Sequence, residues 1–69
     1  MDPNAAWRQW MDLFLHDNIP EAVEVAEGLI QWVQRGGFEP EDWVHRFDGK
    51  ELKQHFYDWY EVFRDPEAT

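Results

Sequence analysis

Hydrophobic and polar positions recur with the period of an α-helix in four successive segments of this chain. In each segment, large apolar side chains share one face of the helix and polar or charged side chains share the other. No run of alternating β-branched residues indicates a β-strand. We therefore predict an all-α fold, a small orthogonal four-helix bundle with helices over about residues 3–16, 19–35, 40–47 and 49–64. A three-helix bundle with an irregular segment over residues 38–47 is the alternative.

The first predicted helix begins at Pro3 behind an Asp2 N-cap, because proline at the first helical position loses no hydrogen bond. Its apolar face is continuous and rich in aromatic rings, and Leu13 lies at the edge of that face. The residues predicted to point inward are Trp7, Trp10, Met11, Phe14 and Leu15.

The second predicted helix follows an N-cap at Asp17 or Asn18 and ends at about Arg35, before Gly36-Gly37, which permits the left-handed conformation that closes many helices. Glutamates stand near its N-terminus, where the helix dipole favours negative charge. The predicted inward face comprises Ala22, Val23, Val25, Ala26, Leu29, Ile30, Trp32 and Val33.

The third predicted helix is short, with Phe38 before it as a hydrophobic staple and a capping box from Asp48 to Glu51 opening the fourth helix. In the third helix, the predicted inward residues are Trp43, Val44 and Phe47. In the fourth helix they are Leu52, Phe56, Trp59, Tyr60 and Phe63. We expect residues 1–64 to form one helical domain and residues 65–69 to form a frayed tail.

Aromatic residues make up 17% of the chain, which contains no cysteine. A buried aromatic side chain removes roughly 150–250 Å² from water, so a few rings can supply the core of a small domain without disulfides. No apolar run approaches the ~18 residues of a membrane span, and the first residues lack the pattern of a signal peptide. We expect a cytoplasmic protein that does not enter a membrane.

The net charge is −9, from fifteen acidic and six basic residues. Direct binding of nucleic acid is disfavoured, because lysine and arginine must neutralise the phosphates and none of the four segments carries a net positive charge. The same charge permits the opposite relationship, in which rows of carboxylates imitate a nucleic-acid backbone and occupy a basic groove on another protein. Glu21, Glu24 and Glu27 would supply that row, with Glu39, Glu41 and Asp42 beside them. The alternative is that these acids keep the domain soluble and complement the helix dipoles.

Candidate catalytic and metal-binding groups are few. Glu51, His55 and Asp58 share a helical face, and Asp12 pairs with His16, but two ligands on one exposed helix do not make a zinc site. Gly36-Gly37 follows a helix, so its amides lie at the wrong helix end to bind phosphate. We therefore predict no catalytic residue, no metal site and no cofactor, and hence a non-enzymatic protein.

The apolar residues offer a stronger indication of function. Twenty-four large hydrophobic and aromatic side chains lie between Trp7 and Phe63, more than a domain of this size can bury completely. Residues at the edges of the apolar faces would then form an exposed patch for a protein partner, either a second copy of the chain or a protein with a complementary basic and apolar surface. The predicted patch residues are Leu13, Trp32, Tyr57 and Val62.

Overall fold

The computed structural model describes residues 1–64 and confirms an all-α fold with four helices packed as a small bundle. The helices are α1 (Pro3–Leu15), α2 (Ile19–Gln34), α3 (Glu41–Val44) and α4 (Gly49–Phe63). No strand occurs within these 64 residues. The predicted frayed tail, residues 65–69, lies outside the described residues.

The first two helices begin and end as local chemistry dictates. Asp2 caps α1, since its carboxylate accepts hydrogen bonds from the amides of Asn4 (3.0 Å) and Ala5 (3.3 Å). Gly36 closes α2 in the left-handed conformation, with φ of 91°. Asp17, with φ of 56°, takes the same conformation after α1. Asn18 is therefore the N-cap residue of α2, although its side chain makes no capping hydrogen bond.

The third helix is shorter than predicted. The prediction extended it over residues 40–47, whereas α3 is a single turn of four residues. It ends early because Gly49 packs directly on the Trp43 carbonyl, an approach so close that an added Cβ would lie 2.3 Å from that oxygen. The chain must turn at residues 45–48 to bring Gly49 there.

Residues of α1 hold the first turn of α3. The side-chain oxygen of Asn4 accepts the amide hydrogen bond of Glu41 at 2.7 Å. The indole nitrogen of Trp7 donates to the Asp42 carboxylate at 2.9 Å. The Asn4 contact does the work of an N-cap from a distant part of the chain, because α3 has no side-chain cap of its own.

The prediction of a capping box at the start of α4 is wrong. Asp48 occupies the N-cap position, but its side chain makes no capping hydrogen bond. Its two carboxylate oxygens instead accept from Nε and Nη2 of Arg46, at 2.9 and 3.1 Å. The carboxylate therefore closes the turn between α3 and α4 through an ion pair.

The core is centred on the ring of Phe56, which is fully buried. The rings of Trp7, Trp10 and Trp43 surround it at centroid distances of 5.6, 4.8 and 5.3 Å. Most of these pairs meet edge to face or at a tilt, as the quadrupoles of aromatic rings favour. The remaining buried hydrophobic residues are contributed by α2: Ala22, Ala26, Leu29 and Ile30.

Several residues predicted to point inward are exposed instead. Helical periodicity assigned them correctly to an apolar face, but no other helix covers that part of the face. Phe38, predicted as a hydrophobic staple, is 83% exposed, and Leu15 is 76% exposed. The other exposed members of the predicted inward set are Phe14, Val44, Phe47 and Phe63.

Candidate functional site

A groove runs between α1 and α4, two helices whose backbones do not pack closely. The small side chains of Ala22 and Ala26, both fully buried, let α1 and α2 approach each other. Helices α1 and α4 instead meet through large rings, such as Trp10 with Trp59 at 5.2 Å and Phe14 with Trp59 at 6.2 Å. These rings keep the two backbones apart, and the space between them opens to solvent.

This α1–α4 groove encloses about 510 Å³, a volume within the usual range of ligand pockets. Its lining is aromatic and aliphatic, and His55 is the one titratable residue among the lining residues. The lining residues are Trp7, Trp10, Met11, Phe14, Leu15, Leu52, His55, Phe56 and Trp59.

Exposed apolar surface continues past the groove toward the C-terminal ends of both helices. Trp59 contacts Phe14 on α1 and also lies 5.1 Å from the ring of Phe63, one turn further along α4. Phe14 and Phe63 are 43% and 41% exposed, and the neighbouring Leu15 and Val62 are exposed as well. The groove and these side chains therefore form one apolar surface.

Charged residues border the groove on its α4 side. On α4, His55 lines the groove. Glu51 lies four residues before His55, Asp58 three residues after it and Val62 seven residues after it, so they share one helical row. Glu51 and Asp58 are exposed, and neither forms an ion pair with another described residue.

On α1, no charged side chain lines the groove, and Arg8 lies instead beside Asn4, Glu41 and Asp42. Asp12 lies 3.5 Å from the imidazole of His16. The charged side chains beside the groove, Glu51 and Asp58 on α4, are thus both acidic.

Two of the indole rings in the groove wall carry unpaired donors. The buried Nε1 atoms of Trp10 and Trp59 have no hydrogen-bond acceptor among the described residues. Because these two indole nitrogens make no hydrogen bond, packing alone holds the rings in place. Each unpaired buried donor costs about 1–3 kcal/mol. Trp7 differs, because its indole nitrogen is bound by Asp42.

The four residues predicted as an apolar patch do not lie together. Leu13 and Trp32 occupy the last turns of two helices joined by a short turn, which places them at opposite ends of the α1–α2 hairpin. Trp32 donates its indole hydrogen bond to the carbonyl of Phe38 at 3.0 Å. Tyr57 packs on Phe56 and Trp43, on the other side of α4 from Val62. Of the four, Val62 belongs to the row that borders the groove.

The acidic residues predicted to imitate a nucleic-acid backbone divide into two groups. Glu21, Glu24 and Glu27 are exposed along α2 and form no ion pair with another described residue. In the second group, Glu39 is ion-paired with Lys53, and Asp42 accepts the Trp7 hydrogen bond. The second group therefore stabilises the packing of α3.

The ionisable groups within residues 1–64 form no cluster suited to a metal ion. Asp48 and Arg46 shift each other's titration: their bidentate hydrogen bond lowers the pKa of the Asp48 carboxyl and raises the pKa of the Arg46 guanidinium. This pair lies in the turn before α4 and not in the groove. What the groove offers chemically is a large apolar surface with one imidazole beside it.

Sequence reasoning missed Phe14, Leu15 and Phe63 as site residues because it placed them in the core. One available signal was the width of the apolar face of α1, which spans from Trp10 around to Leu15 and exceeds what one neighbouring helix can cover. The excess of large apolar side chains over the capacity of the core was the second signal, although it does not say which residues are left outside.

Comparison with protein-family models, with curated proteins and with solved structures finds no match to this chain. None of the helices formed by residues 1–64 has both the length and the apolar character that crossing a bilayer requires.

Proposed function

We propose that this domain is a non-enzymatic protein-interaction module and that the α1–α4 groove is its binding surface. The supporting observation is the connected apolar surface that runs from Leu15 and Phe14 through Trp59 to Phe63, open to solvent in a domain with a well-packed core. A contiguous apolar patch rimmed by polar residues is typical of sites where soluble proteins bind partners. Aromatic side chains also dominate the energetics of such interfaces.

Residues that are already exposed provide the cleanest test, because substituting them leaves the core intact. Leu15→Asp places a charge at the groove, and Val44→Asp places the same charge at an exposed apolar residue of α3. A tagged domain would be used to capture partners from the native cell, with wild type and both variants compared at equal concentration. We expect Leu15→Asp to lose a stoichiometric partner that Val44→Asp retains. If both variants retain the same partners, the groove is not the binding surface.

The second candidate function is that of an acidic mimic of nucleic acid. It is supported by the exposed carboxylates of Glu21, Glu24 and Glu27, which no described cation neutralises. Binding of this kind would be lost on reversing the charges of Glu24 and Glu27. It would also weaken steeply above ~0.15 M salt, where the screening length falls to about 8 Å. Binding through the apolar groove would survive the charge reversals and would depend only weakly on salt.

A further inference from the structure

The occupant of the α1–α4 groove must be longer than a small molecule. A ligand that filled the cavity between Trp10 and Trp59 would still leave Phe63 and Val62 in water, since both lie beyond the cavity lining. From Leu52 to Phe63 the apolar surface extends about 17 Å along α4, the length of roughly three helical turns. An amphipathic helix of that length covers such a surface with apolar side chains spaced three and four residues apart.

The charges beside the groove favour an occupant with positive charge. Glu51 and Asp58 border the groove on α4, and no lysine or arginine is among the residues that line it. Lys53 is engaged elsewhere by Glu39. A partner helix with lysines or arginines beside its apolar face would place them against these carboxylates.

The C-terminal ends of α1 and α4 also favour an occupant with positive charge. Trp7 contacts Phe56, and Phe14 contacts Trp59, so α1 and α4 run the same way and their C-termini meet at one end of the groove. The negative ends of both helix dipoles therefore add to the border carboxylates.

A second copy of this chain fits the groove less well. Each copy carries a net charge of −9, and pairing groove against groove would bring Glu51 and Asp58 of one copy toward the same acids of the other. Fatty acids and other anionic amphiphiles meet the same repulsion.

From the extent of the apolar surface and the sign of the charges beside it, we infer that the groove binds a basic amphipathic helix of about three turns. The apolar side chains of that helix pack on Phe14, Leu15, Trp59 and Phe63, and its cationic side chains pair with Glu51 and Asp58. The inference rests on the proposed function, since it names the class of partner for the same groove.

Designed peptides test the inference without knowledge of the natural partner. The probe is a helical peptide of about 16 residues with leucines at the spacing of one helical face and lysines beside them. One control peptide has the same composition in scrambled order, and a second has glutamate in place of every lysine. Binding is measured by anisotropy of a labelled peptide and by tryptophan fluorescence, at low and at moderate salt.

Matched protein variants locate the binding. Leu15→Ala is compared with Val44→Ala, and the pair Glu51→Gln with Asp58→Asn is compared with the pair Glu24→Gln with Glu27→Gln on α2. We expect Leu15→Ala to weaken the lysine peptide about tenfold, the removal of a contacting isobutyl group. Neutralising Glu51 and Asp58 should weaken it about 3- to 10-fold at low salt, as expected for two exposed ion pairs. Both control variants should stay within about twofold of wild type.

Three results would overturn the inference. If the scrambled peptide binds as well as the ordered one, or the α2 variant weakens binding as much as the groove variant, the attraction is general charge and not the groove. If the glutamate peptide binds equally well, the inference of a basic partner fails while the proposed interaction function stands. If no peptide binds and sedimentation shows dimers that Leu15→Asp dissociates, a second copy is the occupant and again the groove remains an interface.

The proposed function fails separately. It fails if no peptide binds, the protein is monomeric and capture of cellular partners is unaffected by Leu15→Asp.

Discussion

The core of this domain should be most sensitive to the loss of one ring, that of Phe56. This side chain is fully buried and has aromatic rings on several sides. Truncating a buried phenylalanine to alanine costs about 3–5 kcal/mol. A domain of this size has a total stability of roughly 3–10 kcal/mol, so Phe56→Ala would unfold much or all of the protein.

Phe56→Leu gives a graded measurement. Leucine keeps most of the apolar bulk but loses the ring pairs with Trp7, Trp10 and Trp43. Each such pair contributes about 0.5–1.5 kcal/mol beyond burial of its area, and because the pairs are not additive we expect a total loss of about 1–3 kcal/mol.

The matched control is Phe47→Leu, the same substitution at a fully exposed ring in the turn before α4. Urea unfolding followed by circular dichroism measures both variants. With a slope of about 1 kcal/mol per molar urea, the midpoint should fall by about 1–3 M for Phe56→Leu. For Phe47→Leu the free energy of unfolding should change by less than about 0.5 kcal/mol. Equal shifts for the two variants would refute the assignment of Phe56 to the centre of the core.

Two further predictions concern the glycines and the turn before α4. Gly28→Ala should stabilise the protein by about 0.5–1 kcal/mol, because alanine favours the helix and the added Cβ meets only the flexible end of Met1 at 3.5 Å. Gly49→Ala should destabilise it, since there the Cβ would collide with backbone atoms; thermal melts that rank the two variants the other way would contradict the packing of α4 on α3. Asp48→Asn should lower the melting temperature slightly near neutral pH. Arg46 lowers the pKa of Asp48 in the folded state, so the ionised Asp48 stabilises the fold at any pH above its pKa in the unfolded chain. The difference should disappear as the pH falls through and below about 4; a difference that persists in acid would show that the ion pair is not its source.

The fold was accessible from the sequence because local chemistry determines the helices. Trp7, Trp10 and Phe14 recur at helical spacing in α1, and Asp2 and Gly36 supply chemically specific helix ends. The end of α1 was less accessible, because Asp17 adopts a left-handed conformation that glycine usually occupies.

The site was accessible only in its general character. The excess of apolar side chains predicted an exposed apolar surface, but helical periodicity assigns a residue to a face without saying whether another helix covers it. Phe14 and Leu15 lie on the same face as Trp10, and the separation of α1 from α4 decides that they are exposed. That separation depends on how the rings of Trp10, Phe14 and Trp59 stack in three dimensions, which no spacing along the chain encodes.

The contacts of Asn4 and Trp7 with α3 make two distant segments depend on each other. A four-residue helix is too short to persist alone in water, so α3 keeps its shape while α1 supplies the acceptor for Glu41 and the donor for Asp42. When the first turns of α1 open, the amides of α3 should lose their protection from hydrogen exchange at the same moment. The first turns of α1 and the whole of α3 should therefore open and close as a single cooperative unit.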